Sequence, residues 1–228
     1  MIKNFLRLIL NIKMLMPIRH FLKQMYNFKL LSIDYGQWRT IRDSNSVTLH
    51  GRPIPWYTYP ATEFLSHLDF TQFKVFEYGA GNSTLWWSKR AKYISSVEND
   101  EVYYKKIKDL LKNKNAICHL EKKKKKYISM AANTFDIFII DGSYRKECLE
   151  HVVNLKSGCS KLMIIFDNSD RYPYSVSFIQ QKLSWLQIDF HGFGPINRYT
   201  WTTSIFINSD RFQELTYSRV LKSKCGLV

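Results

Sequence analysis

The stretch FEYGAGNST, residues 76 to 84, decides the fold of this chain. It begins at the end of an apolar run and leads into a segment with the composition of a helix, so two glycines stand where the backbone turns from a strand into a helix. At such a turn glycine allows a tight bend and a close approach of the backbone to a ligand. The helix amino-terminus then offers free N–H groups to an anion. A dinucleotide-binding loop would have a third glycine or an alanine where this chain has Thr84, so the loop matches that fingerprint poorly.

A carboxylate follows the next predicted strand. The strand ends Ser96-Val97-Glu98-Asn99-Asp100, which places Glu98 roughly 20 residues beyond the loop, where a carboxylate can accept hydrogen bonds from both hydroxyls of a ribose. Two simpler interpretations stay open: Glu98 caps the following helix, and the glycines form an ordinary turn. The two signals in register favour a site for a nucleoside-containing ligand.

Short apolar runs alternate with helical stretches from residue 73 onward, which indicates a mainly parallel sheet covered on both faces. Seven strands are predicted: Lys74 to Tyr78, Tyr93 to Val97, Ile117 to Leu120, Phe135 to Ile140, Leu162 to Phe166, Gln187 to Phe190 and Ser204 to Ile207. Helices are predicted between them: Thr84 to Arg90, Glu101 to Lys112, Tyr127 to Ala132, Glu147 to Lys156 and Ser175 to Trp185.

The link between the last two predicted strands differs from the others. Its sequence, HGFGPINRYTW, contains two glycines and a proline and no helical pattern. A parallel crossover needs about a dozen residues or more, usually with a helix, so we expect an antiparallel return here.

The glycine loop and the acidic end of the second strand resemble motifs one and two of class I S-adenosylmethionine-dependent methyltransferases, over residues 73 to 208. The resemblance implies a Rossmann-like three-layer α/β fold with a seven-stranded, mostly parallel sheet and an antiparallel last strand, here with an N-terminal helical extension. It implies S-adenosylmethionine as the cofactor. The residues assigned to cofactor binding are Glu77, Gly79, Gly81, Asn82, Ser83, Glu98 and Asp141.

Oxygen-bearing side chains end the fourth and fifth predicted strands. Asp141, Asp167 and Asn168 would meet at the ligand crevice, because neighbouring parallel strands end at one edge of the sheet. Hard oxygen ligands suit Mg²⁺ or another divalent cation, and the pattern is similar to that of cation-dependent catechol and caffeoyl-coenzyme A O-methyltransferases. Alternatively, Asp141 contacts the cofactor or orders a loop, while Asp167 and Asn168 form a turn and cap the next helix.

The acceptor is expected beside the loop that joins the last two strands. This loop offers His191, Asn197, Arg198, Tyr199 and Trp201, and Arg171, Tyr172 and the aromatic stretch Pro55 to Pro60 can add further walls. Methyl transfer is a single displacement, so the protein must mainly align the acceptor and take its proton. We predict Asp141 and His191 as the catalytic residues, although a single histidine is often structural.

Aromatic, asparagine and arginine side chains suit a sugar, and they also suit a core. The chain as a whole resembles bacterial methyltransferases that accompany polysaccharide or secondary-metabolite clusters. We therefore expect O-methylation of a hydroxyl on a sugar or glycan intermediate.

The amino-terminal part divides into a basic amphipathic arm, residues 1–31, and a helical and loop cap, residues 32–72, before the methyltransferase domain, residues 73–228. The arm has six lysines and arginines and no acidic residue, too many charges for a membrane span or a secretory signal. Pro17 is expected to divide it into two short helices. It lies on an anionic membrane surface, or it packs on the domain or on a second subunit in a homodimer.

The net charge of +15 favours anionic partners without choosing among them. An RNA methyltransferase using the basic surface stays open, although the chain has Asp141-Gly142-Ser143-Tyr144 where enzymes acting on base nitrogens have an Asn or Asp, Pro, Pro, aromatic motif. A catalytically inactive adenosyl-binding scaffold is the other alternative. The four cysteines form no CxxC pair, which indicates thiols in a reducing compartment and a cytoplasmic protein, with the arm on the inner face of the membrane.

Overall fold

The chain forms a three-layer Rossmann-like α/β fold, described here from a computed structural model for residues 16–112, 114–155 and 161–217. The strands are β1 (Lys74–Tyr78), β2 (Tyr93–Glu98), β3 (Ala116–Leu120), β4 (Ile137–Ile140), β5 (Met163–Asp167), β6 (Leu186–Gly192) and β7 (Trp201–Ile207). The helices are α1 (Met16–Lys29), α2 (Gln37–Asp43), α3 (Tyr59–Ser66), α4 (Asn82–Trp87), α5 (Glu101–Leu110), α6 (Lys124–Ile128), α7 (Arg145–Asn154) and α8 (Pro173–Leu183). A π-helical turn (Leu30–Asp34) follows α1, and 3₁₀ turns span Ser169–Arg171 and Ser209–Glu214.

The seven strands form one sheet in the order β3-β2-β1-β4-β5-β7-β6. The first five strands are mutually parallel, whereas β7 runs antiparallel to both β5 and β6. The predicted strand count and the antiparallel last strand are therefore confirmed. The sheet's edge strand β6 is only partly buried, in contrast to β4 and β5, whose residues are all buried, as expected for central strands of a sheet covered on both faces.

Alternate residues along each central strand enter two different cores. Ile137 and Ile139 of β4 pack on one face with Trp87, whereas Phe138 and Ile140 pack on the other. This is the two-residue period of a strand. The first core also takes in Tyr57, Leu65 and Phe70 from the segment before β1, so part of the predicted cap shares the hydrophobic core of the sheet.

The order of the strands reverses between β1 and β4. The chain moves from β1 outward through β2 to β3 and then returns to place β4 on the other side of β1. Crossovers that leave in opposite directions open a crevice at the carboxyl ends of the two strands, the usual ligand position in such sheets.

Four of the five predicted helices begin earlier in the structure, and for α7 and α8 the shift is two residues, to Arg145 and Pro173. Helix α4 begins at Asn82, before the predicted start at Thr84, and α6 covers Lys124–Ile128, where Tyr127 to Ala132 was predicted. The lysine run thus forms part of a helix, because lysine is a good helix former. Within the run, Lys122 pairs with Glu101, and Lys124 pairs with Glu147.

The arm is described only from Met16, so the predicted break of residues 1–31 into two helices lies partly outside the described residues. Pro17 lies in the first described turn of α1. Among the described residues no helix is long and apolar enough to cross a bilayer. Cys118 and Cys148 are buried free thiols, and Cys159 and Cys225 lie outside the described ranges.

Candidate active site

A cavity of about 630 Å³ opens at the carboxyl ends of β1, β2, β4 and β5. Its volume is within the range of about 300 to 1,000 Å³ that small-molecule sites usually have. The glycine loop and residues at and after the end of β2 contribute to its lining: Gly79, Ala80, Gly81, Asn82, Ser83, Glu98, Asn99, Asp100 and Tyr103. The rest of the lining comes from more distant segments of the chain: Ser44, Asn45, Ser46, Trp56, Asp141, Gly142, Ser143, Arg145, Asp167, Asn168, Ile196, Asn197, Tyr199 and Trp201.

The glycine loop is shaped by a contact between two strand ends. Gly79 has φ +88°, and a Cβ placed on it would lie 2.6 Å from the Cα of Gly142 after β4. Glycine is required here both for the left-handed backbone and for the close approach. The next glycine, Gly81, has φ −171°, and a Cβ there would make only an ordinary contact with Ser83 Oγ at 3.8 Å, so its conformation is available to any residue.

Thr84 stabilises the start of α4. Its Oγ1 accepts a hydrogen bond from the Gly81 N–H at 3.0 Å and donates one to the Glu77 carboxylate. The threonine that stands where a dinucleotide loop would have glycine therefore connects the loop to the strand below it.

Glu77 lies beneath the loop and does not line the cavity. Its side chain is fully buried, and burial raises its pKa to about 8. The structure thus places this residue as a support for the loop through Thr84, and not where a direct contact with a cofactor would need it. Gly79, Gly81, Asn82, Ser83, Glu98 and Asp141 all line the cavity, and their contact with a cofactor stays a prediction.

The Glu98 carboxylate is held in place by backbone N–H groups. Oε2 accepts from Ala80 at 3.0 Å, and Oε1 accepts from Asn99 and Asp100 at 2.8 Å each. It thereby connects the end of β2 to the glycine loop. Each carboxylate oxygen can accept more than one hydrogen bond, so Glu98 can also accept from ligand hydroxyls.

The cap supplies one wall of the site. The Asn82 amide donates to Asn45 Oδ1 at 2.9 Å and to the Ser46 carbonyl at 2.6 Å, so residues after α2 are fixed to the first turn of α4. The sequence contained no local signal for this contact, because the partners are separated by more than 35 positions.

Asp141, Asp167 and Asn168 come together around the guanidinium of Arg145. Its Nη2 donates to Asp141 Oδ1 at 2.8 Å, and its Nη1 donates to Asn168 Oδ1 at 2.7 Å and lies 3.9 Å from Asp167 Oδ2. It also donates to the backbone carbonyls of Asp141, Gly142 and Asp167. The sequence analysis missed this residue, although an arginine four positions after Asp141, at the start of a helix, could have indicated it.

The prediction of a divalent cation on these three side chains does not fit this arrangement. The guanidinium occupies the position between Asp141 and Asn168, and Asp167 directs Oδ1 away, accepting from Trp201 Nε1 at 3.0 Å and Thr203 Oγ1 at 2.6 Å. No cluster of three or more histidine, cysteine or acidic side chains suited to a metal occurs in the described ranges. Arg145 supplies the positive charge that a cation was expected to supply.

Burial raises the pKa values of both carboxyl groups. The pKa of Asp167 is raised first by burial and then by the charge of Asp141. The Thr203 hydroxyl and the charge of Arg145 lower it. The pKa of Asp141 is raised by burial and lowered by Arg145. The cavity therefore contains two carboxyl groups whose pKa values are raised mainly by burial, and the charge of Arg145 opposes that rise.

The loop between β6 and β7 forms the far wall, as predicted. Asn197, Tyr199 and Trp201 line the cavity, and Ile196 has φ +65°, a strained conformation for a β-branched residue. Helix α2 holds the loop: Thr40 Oγ1 accepts from the Ile196 N–H at 2.8 Å, and Gln37 donates to the carbonyls of Gly194 and Asn197.

His191 and Arg198 lie outside this wall. His191 is exposed on β6, and its two ring nitrogens are hydrogen-bonded to the hydroxyls of Thr200 and Thr202. Neither residue lines the cavity, so the structure does not bring the predicted histidine base to the other site residues. Arg171 is near the rim, where it donates to Tyr199 Oη at 3.1 Å.

The chain matches no protein-family model and no curated protein sequence. Among solved structures it is similar to precorrin-6y C5,15-methyltransferase from Geobacter metallireducens, with a TM-score of 0.48 and 14% identity over 61% of this chain and 82% of that one. It is also similar to an rRNA methylase from Streptococcus thermophilus, with a TM-score of 0.45 and 13% identity over 66% and 97% of the two chains. It is similar as well to TYW2 from M. jannaschii in complex with AdoMet, with a TM-score of 0.44 and 15% identity over 68% of this chain and 77% of that one. At these identities the similarity is one of fold.

Proposed function

We propose that the chain is an S-adenosylmethionine-dependent O-methyltransferase that acts on a hydroxyl of a sugar or glycan intermediate. The observation that carries the proposal is one cavity lined by two chemically different groups of residues. We assign the glycine loop and the backbone-held Glu98 to a cofactor half, and the amide, aromatic and arginine side chains to an acceptor half. A cofactor and its acceptor can therefore meet between them, beside Asp141.

The cofactor half has the chemistry for a nucleoside and an amino acid. Glu98 accepts from ribose hydroxyls, while Gly79 and Gly81 allow the methionine part to lie against the backbone. Ser83 and Asn82 present polar groups at the first turn of α4. When bound there, S-adenosylmethionine supplies an electrophilic methyl group on a positively charged sulfur.

The acceptor half has the chemistry for a sugar. Trp56 and Tyr199 are partly exposed aromatic rings, and Asn45 and Asn197 offer amide groups. Asp141 is the carboxylate between the two halves. In the proposed reaction Asp141 takes the proton of the acceptor hydroxyl, and the bound cofactor would supply the methyl group to the acceptor oxygen, with the electron pair of the carbon–sulfur bond leaving on sulfur.

Calorimetry with S-adenosylmethionine tests the cofactor half directly. We expect binding by the native chain and at least about a tenfold weaker affinity for Glu98→Ala, because a fixed acceptor of two hydrogen bonds is lost. Glu150→Ala, which changes an exposed glutamate on α7, serves as the control and should bind normally. No heat at millimolar cofactor would refute the proposal.

The acceptor class is tested by product analysis. The chain is incubated with labelled S-adenosylmethionine and with free sugars, nucleotide sugars, polysaccharide or RNA, and the methylated product is identified by NMR. A methoxy group on a sugar ring supports the proposal. Methyl groups on RNA bases would replace it with the RNA alternative, and cofactor binding without turnover on any acceptor would favour a scaffold.

A further inference from the structure

Helix α1 has an apolar face that nothing in the described structure covers. None of its residues is buried. Large exposed side chains recur every three or four positions, which places them on one side of a helix: Ile18, Phe21, Leu22, Met25 and Phe28, with Tyr26 at the margin. Phe21 is 63% exposed. Such a contiguous apolar surface is uncommon in the absence of a partner.

The opposite side of α1 is polar and carries Lys23, whereas Lys29, four positions after Met25, lies at the end of the apolar side. There is no aspartate or glutamate between Met16 and Lys29. In sequence, residues 1–15 add Lys3, Arg7 and Lys13, again with no acidic residue. The helix therefore combines an exposed apolar face with basic residues and no acidic residue of its own.

From this combination we propose that α1 lies in the plane of an anionic lipid bilayer, with Phe21 and Met25 among the acyl chains and Lys23 near the headgroups. Amphipathic helices with these two features bind such surfaces through apolar burial and charge attraction together. A second copy of the chain is the competing occupant. A second copy would add another basic helix without an acidic residue, whereas an anionic bilayer supplies the opposite charge, so charge complementarity favours the lipid.

Further exposed apolar side chains occur in the chain between α1 and the cavity-lining Ser44. The π-helical turn after α1 carries Ile33, and α2 carries Trp38, which is 65% exposed, and Ile41. The end of α2 leads directly into Ser44, which lines the cavity. Lipid contact along this segment would therefore place the bilayer near the cap of the site.

Flotation with phosphatidylcholine vesicles, with and without phosphatidylglycerol, tests this inference on the full chain. The native chain is expected to float with the anionic vesicles, to bind neutral ones weakly and to be released as NaCl is raised. Phe21→Asp should reduce binding at least about tenfold, and Lys23→Glu at least about fivefold.

Matched controls carry the same changes elsewhere on the surface. Phe212→Asp alters another exposed phenylalanine, 52% exposed, and Lys89→Glu makes the same charge change on an exposed lysine. Both should float like the native chain. Circular dichroism melts verify that all four variants fold, and calorimetry with S-adenosylmethionine measures cofactor binding independently of the lipid result.

Three outcomes overturn the inference. The first is a native chain that does not float. The second is a Phe21→Asp variant that floats as well as Phe212→Asp. The third is a dimer in light scattering that Phe21→Asp dissociates while vesicle binding is absent, which would assign the helix face to a second copy of the chain.

Discussion

Replacing Arg145 with methionine is the most informative perturbation of the site. Methionine has a similar length but no charge and no donors. The guanidinium makes five hydrogen bonds, to the side chains of Asp141 and Asn168 and to three backbone carbonyls. Its loss leaves Asp141 and Asp167 beside each other without a cation.

The expected loss of stability depends on pH. Burial raises the pKa values of both aspartates above their ordinary values. Between the ordinary and the raised pKa values the folded state therefore binds more protons than the unfolded state. The free energy of unfolding falls as pH rises across that interval. Arg145 lowers both pKa values. Removing it should therefore steepen the fall, because each carboxylate must then ionise without its partner.

Removing one partner of a largely buried ion pair costs about 3 to 5 kcal/mol. We expect this loss for Arg145→Met at about pH 8, and only about 1 to 2 kcal/mol at about pH 5, where protonated carboxyls need no cation and mainly hydrogen bonds are lost. Urea unfolding followed by circular dichroism at both pH values measures it. Lys146→Met, on an exposed neighbour, should change stability little at either pH. Equal losses for Arg145→Met at the two pH values would refute the coupling to the aspartates.

Three further predictions concern the glycine loop, the base and the metal. Gly79→Ala should lower the free energy of unfolding in urea by about 2 to 4 kcal/mol, because Gly79 has a positive φ and a Cβ there would clash with Gly142. Gly81→Ala should cost less than about 1 kcal/mol. Similar losses for the two variants would contradict the geometry. His191→Ala should leave kcat within about threefold of the native value, and Asp141→Asn should lower kcat at least about a hundredfold. Release of S-adenosylhomocysteine measures both. The reverse result would identify the histidine as the base. Exhaustive chelation should leave cofactor binding and turnover unchanged, and a gain on adding Mg²⁺ or Mn²⁺ would show that a cation takes part.

Local features of the sequence determined the fold and half of the site. Short apolar runs predict strands because buried parallel strands need side chains that are apolar on both faces. The glycine pair and Glu98 predict a ligand edge because their positions relative to strand ends are set by the backbone alone. The residues separating the last two strands were too few for a helical crossover, and so they indicated the antiparallel strand.

The tertiary structure decided which side chains meet. Because neighbouring parallel strands end at one edge of the sheet, the sequence placed Asp141, Asp167 and Asn168 together. It could not show that the Arg145 side chain lies between them. The sequence located Glu77 and His191 only by their positions along strands. Packing decides that Glu77 is buried beneath α4 and that His191 is exposed on β6. Asn45 and Ser46 reach Asn82 through a contact between distant segments. Local sequence restricts the backbone, whereas the partner of each charged or polar group is chosen by packing among segments far apart in the chain.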